Sequence, residues 1–349
     1  MSFLKQFGGS LSPTLKQNYS QSKNWQNGKF LNLQETKMDI SLRTIPGLLK
    51  KQFINRKERS PEKNIPIQRI ALQDFLVGSD SAKIIWYGHS ALLLRMQGKT
   101  IFIDPMLGSN AAPIAPFAVK RFSANSLQIL HDLPEIDLML ISHDHYDHLD
   151  YESIQILRSK TRQYYVALGV ARHLQSWGID SHKIEEFDWW KHRFFEDINI
   201  TFTPTRHFSG RGFTDRATSL WGGWAIHGQK ENLYFSGDSG YGVHFKEVGK
   251  RLGPFGLGFM ECGQYNKHWH QIHMYPEETV QAALDAGVQK SLPVHWGAFA
   301  LSLHSWKNPI ERFVAEALKL NHSFISPQIG ELIHSNQAPE NSYWWQLIE

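Results

Sequence analysis

Short apolar runs alternate with polar turns along this chain, and the length and period of each run predict an element. Lys83-Ile84-Ile85-Trp86-Tyr87, Ala91-Leu92-Leu93-Leu94-Arg95 and Thr100-Ile101-Phe102-Ile103 read as strands joined by turns at Gly88 and Gly98. Asp137-Leu138-Met139-Leu140-Ile141 and the alternating Ile198-Asn199-Ile200-Thr201-Phe202 read the same way. Leu149 to Arg158 and Pro276 to Ala286 carry apolar residues at helical spacing, the second opened by a proline and two glutamates. A last helix is predicted over Pro309 to Leu320. From residue 83 onward the pattern is therefore α/β, two packed sheets flanked by helices. No dinucleotide-binding glycine fingerprint follows any strand, which argues against a Rossmann oxidoreductase. No internal repeat is visible.

Chemistry gathers at the strand ends. Directly after Asp137–Ile141 comes Ser142-His143-Asp144-His145-Tyr146-Asp147-His148-Leu149-Asp150, with imidazoles and carboxylates crowded into one loop. These are the groups that zinc and similar divalent ions favour. His143 and His145 are placed to share one metal, and Asp147 and His148 to reach a second. A metal wants four or more ligands, and three further strand ends supply candidates: His207, Asp238 in Ser236-Gly237-Asp238-Ser239, and His295 in Pro293-Val294-His295-Trp296. Asp104, in Ile103-Asp104-Pro105, is expected to hold a ligand histidine by a hydrogen bond, and His89 to stand behind the ligands in the same way. Arg206 and Arg211 flank His207 and suit either a phosphodiester or ordinary salt bridges. Trp189, Trp190, Trp221 and Trp224 are expected in the core.

Composition adds a compartment and an asymmetry. The chain has 349 residues, 41% hydrophobic and 13% aromatic, ample for a buried core. A single cysteine, Cys262, allows no intrachain disulfide and suits a reducing cytoplasm. Neither a signal-peptide core nor a run of 18 apolar residues is found, so no membrane span is expected. Residues 1–69 hold 13 Lys or Arg against 4 Asp or Glu, a net of +9, while the other 280 residues carry 24 against 29, a net of −5. This divides the chain into a basic N-terminal extension, 1–69, and a catalytic domain, 70–349. Lys50-Lys51-Gln52-Phe53-Ile54-Asn55-Arg56-Lys57 mixes basic and apolar side chains and suits an anionic membrane, where each Lys or Arg contributes about 1 kcal/mol. No nucleic-acid recognition motif accompanies the charge.

The order His-x-His-x-Asp-His, His, Gly-Asp, His resembles the metallo-β-lactamase superfamily. Within it, His143 to Asp150, Gly237-Asp238-Ser239-Gly240-Tyr241, Pro276-Glu277-Glu278, His295-Trp296-Gly297-Ala298-Phe299 and Tyr19 to Asn32 resemble N-acyl-phosphatidylethanolamine-hydrolysing phospholipase D. The resemblance implies an αββα sandwich and two metal ions, zinc before iron or manganese. His143, His145 and His207 would hold one and Asp147, His148 and His295 the other, with Asp238 bridging. A hydroxide between the metals would attack phosphorus, giving phosphatidic acid and an N-acylethanolamine. Asp147 and His273 are the catalytic candidates, His273 by its match to a histidine that this family uses near the substrate phosphate. There it would stabilise the oxyanion or protonate the leaving alkoxide. His268 and His270 are expected at the surface. Partners are a phospholipid, a membrane surface met peripherally on its cytoplasmic side and a second copy in a homodimer; nucleic acid is not expected. A hydrolase of a lactone or a soluble phosphodiester is the alternative.

Overall fold

Two seven-stranded mixed sheets carry the site, as the computed structural model shows for residues 2–39, 47, 56–112, 118–338 and 341–348. The first contains β3 (Lys83–Trp86), β4 (Leu92–Met96), β5 (Lys99–Ile103), β6 (Ile136–Ile141), β7 (Thr161–Ala167), β8 (Ile184–Phe187) and β16 (Leu332–His334), in the order β16-β3-β4-β5-β6-β7-β8. The second contains β9 (His192–Phe195), β10 (Ile198–Thr203), β11 (Gly223–His227), β12 (Asn232–Phe235), β13 (Leu257–Glu261), β14 (Lys290–Val294) and β15 (Ser323–Phe324), in the order β9-β10-β11-β12-β13-β14-β15. Read from β16 and from β9, both sheets show three antiparallel pairings followed by three parallel ones. The chain thus repeats a pairing scheme that its sequence does not repeat, because pairing depends on strand direction and not on residue identity. A hairpin of β1 (Trp25–Gln26) and β2 (Lys29–Phe30) lies outside both sheets.

The period of two along the strands sorts side chains between layers. In the second sheet Trp224, Ile226, Leu233, Phe235, Leu257 and Phe259 join the main core with strands of the first sheet. Their neighbours Ala225, Tyr234 and Met260 turn to the other face and pack with Phe245, Val248, Ala282 and Ala283 from the helices His244–Leu252 and Pro276–Asp285. This gives the expected αββα layering. The strand ends β5, β6 and β10 and the three expected helices fall within two residues of their predicted limits. The largest shift is the helix Tyr151–Leu157, whose start is delayed because Asp150 caps it by accepting from the Ser153 N–H at 2.9 Å. Trp189, Trp221 and Trp224 are buried as expected, and Trp190 is partly buried beneath the Arg251 guanidinium.

The basic segment lies on this core. Gly9 N–H donates to His173 Nδ1 at 3.2 Å, and Arg172 Nε donates to the Gly9 carbonyl at 3.2 Å. A side chain at Gly9 would bring a Cβ to 2.2 Å of the Arg172 carbonyl oxygen, so only glycine permits this approach. Of the basic, apolar stretch 50–57, only Arg56 and Lys57 fall among the described residues.

Candidate metal centre

The loop after β6 turns its histidines inward, and the loop after β10 brings His207 to meet them. Nε2 of His143 and Nε2 of His207 lie 3.0 and 3.1 Å from Nδ1 of His145. The outer nitrogens are engaged elsewhere: His143 Nδ1 lies 2.9 Å from Ser142 Oγ, and His207 Nδ1 donates to the Ile272 carbonyl at 3.0 Å. Those bonds orient the rings so that three nitrogens face one point.

A second cluster adjoins the first. His148 Nδ1 is held by Asp104 Oδ2 at 2.8 Å, which leaves Nε2 3.0 Å from Asp238 Oδ2 and 3.7 Å from Asp147 Oδ2. Asp238 Oδ2 also lies 3.8 Å from His143 Nε2 and 3.7 Å from His207 Nε2, while Oδ1 lies 3.2 Å from His295 Nδ1. This carboxylate therefore stands between the two clusters. His89 goes further than expected: its Nε2 is 2.8 Å from Asp147 Oδ2, and its ligand atom lies within 4.8 Å of those of Asp147, His148 and His295. His89, Asp104 and His295 all have positive φ, 53°, 41° and 67°, an uncommon backbone state in non-glycine residues. The strain is held by paired backbone bonds at the sheet ends, His89 N–H to the Trp296 carbonyl and His295 N–H to the His89 carbonyl, both 2.8 Å.

Protonation follows from this crowding. Burial, with the neighbouring imidazoles, pushes His143, His207 and His295 well below the ordinary histidine range, which keeps the rings neutral, the form in which imidazole binds a metal. Burial also opposes charge on His148, but Asp238 and Asp147 outweigh it and lift that ring well above the usual value. Burial raises the Asp238 carboxyl to about 6, with His148 working against it. Among the described residues, His295 Nε2 and Asp238 Oδ1 are buried without a hydrogen-bond partner. Orphaned buried groups of this kind are costly, and a cation is what this set of imidazoles and carboxylates would satisfy. His143, His145, His207, Asp147, His148, Asp238 and His295 thus come together as candidate metal ligands, joined by His89.

His273 also enters, its ring stacked on His295 with centroids 5.2 Å apart. His268 and His270 stay outside the clusters, beside Asp39 and stacked on Tyr275. Among the described residues, the side-chain hydrogen bonds of Arg206 and Arg211 go to carbonyl, hydroxyl and amide oxygens, not to carboxylates. Arg211 is buried and donates to the carbonyls of Asp144 and Leu149, both at 2.7 Å, and of Gln6, bracing the metal loop against the N-terminal segment. Arg206 donates to the Glu35 carbonyl, Thr36 Oγ1 and Gln271 Oε1. Two further residues escaped the sequence reading. Asn32 accepts from the His207 N–H at 3.0 Å and donates to the His207 carbonyl at 2.8 Å, pairing with that backbone as a strand would. Glu261 ends β13 inside the site; a carboxylate closing an apolar strand was a visible signal, the same one that marked Asp238.

Beside His207 opens a cavity of about 840 Å³. Phe30, Leu31, Phe208 and Ile272 give it apolar walls, and Lys29 and Arg216 outnumber Glu35 among its charged lining residues.

Comparison with known proteins agrees with this geometry. Residues 99–296 match the family described as the Beta-lactamase superfamily domain. The chain is 36% identical over 333 residues to an uncharacterised protein of Mycobacterium tuberculosis, covering 94% of this chain and 88% of that one. It is 30% identical over 290 residues to N-acyl-phosphatidylethanolamine-hydrolysing phospholipase D 1 of Caenorhabditis elegans, covering 78% of this chain and 80% of that one. The fold is similar to that of Igni18, a metallo hydrolase of Ignicoccus hospitalis, at a TM-score of 0.56 and 18% identity over 72% of this chain and 97% of the other. With its ligand-bearing strand ends, its two mixed sheets and these relatives, the chain belongs to the metallo-β-lactamase superfamily of metal-dependent hydrolases, in the lineage that includes N-acyl-phosphatidylethanolamine-hydrolysing phospholipase D.

Proposed function

We propose that this protein is a phosphodiesterase of phospholipase D type, which cleaves N-acyl-phosphatidylethanolamine to phosphatidic acid and an N-acylethanolamine with zinc in both clusters. The observation that carries the reading is the cavity beside His207, because its walls suit an amphiphile with an anionic group. Arg216 lies over the Phe208 ring at 3.9 Å and reaches Met38 Sδ at 3.1 Å, with no carboxylate ion pair among the described residues. Its charge is available to a phosphate or to a membrane headgroup.

His143, His145 and His207 would hold one metal, Asp147, His148 and His295 the other, and Asp238 both. When bound, the metals supply a nucleophilic water at neutral pH and neutralise charge on the phosphodiester. The chain's own groups do the rest. Asp104, Ser142 and the Ile272 carbonyl orient the ligand rings, and Asn32 fixes the backbone of His207. His273 would give a proton to the leaving oxygen. The basic stretch near residue 50 would draw the protein to an anionic surface. No helix of the described residues is long and apolar enough to cross a membrane.

The test is mass spectrometry of products from zinc-loaded protein and vesicles containing N-acyl-phosphatidylethanolamine. Phosphatidic acid and N-acylethanolamine formed together, and lost on chelation, are the expected result. No lipid turnover from a protein that holds its metals would move the assignment to a lactone or a soluble phosphodiester.

A further inference from the structure

Glu261 is fully buried at the end of β13, and its Oε1 lies 2.6 Å from His273 Nδ1. Its Oε2 accepts from the Met274 N–H at 3.3 Å, so the carboxylate grips the ring and the next residue together. The Met274 N–H also reaches the Ser239 carbonyl at 3.0 Å, which ties this grip to the loop that carries Asp238. The His273 ring stacks on His295 at an interplanar angle of 15° and meets His207 at 65°. A metal-binding role for Glu261 would compete with its bond to His273, since both nearby partners, His273 and His295, already border the site.

We propose that Glu261 is a positioning residue, which fixes the orientation and tautomer of His273 so that Nε2 faces the leaving group. This rests on the phosphodiesterase reading above for its substrate, but not for its geometry. The pair holds one proton between Oε1 and Nδ1 and another on Nε2. As the bond from phosphorus to the leaving oxygen breaks, its electron pair stays on that oxygen, which takes the Nε2 proton. The oxygen of the attacking water forms the new bond to phosphorus, and the proton it releases returns to Nε2 through solvent. The proton shared with Glu261 keeps Nδ1 occupied throughout, so the ring cannot turn over and present the wrong nitrogen.

The experiment compares zinc-loaded wild type, Glu261→Ala and Glu261→Gln on two substrates that share a phosphatidyl group. One loses an N-acylethanolamine alkoxide, which needs a proton; the other loses 4-nitrophenolate, which does not. Glu261→Ala is expected to lower kcat on the first by about 100-fold, the lower range for a lost proton donor, with KM and zinc content held and the second substrate nearly unaffected. Glu261→Gln, whose amide still bonds Nδ1, recovers most of the loss. Equal losses on both substrates overturn the proposal. The ¹⁵N imidazole spectrum decides independently of any substrate. A single His273 tautomer in wild type and Glu261→Gln that becomes a mixture in Glu261→Ala supports it, and identical His273 signals in wild type and Glu261→Ala overturn it. A wild type that cleaves neither phosphodiester strikes down the function reading, while the spectrum still judges Glu261.

Discussion

Asp104 and Asp238 occupy the same place in the two sheets. Each follows the fourth strand, β5 in one and β12 in the other, where antiparallel pairing gives way to parallel. Their surroundings differ. Asp104 is satisfied by protein: it accepts from the Ser142 N–H at 2.8 Å and from the Ser142 hydroxyl at 2.5 Å, and it holds His148 Nδ1. Asp238 is buried as deeply, but one oxygen has no hydrogen-bond partner and the other stands among three imidazoles. The same turn thus yields a support in one half and a candidate ligand in the other. His89 and His207 follow the second strands, β3 and β10, and both enter the clusters: one groups with Asp147, His148 and His295, the other with His143 and His145. Topology offers the position, and hydrogen-bond satisfaction decides its use.

That contrast can be broken by experiment. The largest effect is expected from Asp238→Asn, which removes the charge shared by both clusters. Activity should fall by about 10³-fold or more, several kcal/mol of lost charge stabilisation, with less metal retained in elemental analysis. Asp104→Asn should act through affinity, weakening metal binding by about 10- to 100-fold while excess metal restores much of kcat. If excess metal rescues both variants equally, the distinction between ligand and support fails.

Asn32→Ala tests whether the N-terminal segment belongs to the site. Loss of its two bonds to His207 should cost about 1–3 kcal/mol and narrow the gap between melting temperatures with and without metal. An unchanged gap would return residues 1–39 to the role of a separate arm. The smallest effect is one of pH. Burial pushes His244, bonded to Ser239 beside Asp238, down to about 3. Between about pH 6.5 and 3 the unfolded chain binds a proton there that the folded chain does not. Stability from this group is therefore complete above that window and fades as pH falls through it. Denaturant titrations across the window should show a shallower pH slope for His244→Gln than for wild type.

The metal loop was legible because it is local. His143, His145, Asp147 and His148 are neighbours along the chain, and the strand before them can end only one way. His207, Asp238 and His295 were legible through a repeated grammar, an apolar strand followed by a ligand. That grammar assigned types of residue to strand ends; it did not say which end would be satisfied by its surroundings. The pairing of Asn32 with His207 spans 175 positions, that of Arg211 with Gln6 spans 205, and that of His89 with Asp147 spans 58. No pattern of spacing encodes such contacts, because they exist only once two sheets have stacked. The basic composition of residues 1–69 pointed to an extension laid against the core, and composition could not say that Gln6 would bond Arg211 or Asn32 would bond His207. The candidate ligands were therefore marked by covalent neighbours and strand periodicity. Which groups orient them, and which wall the cavity, was decided by tertiary packing, since a hydrogen bond needs its partner within about 3 Å whatever their distance in sequence.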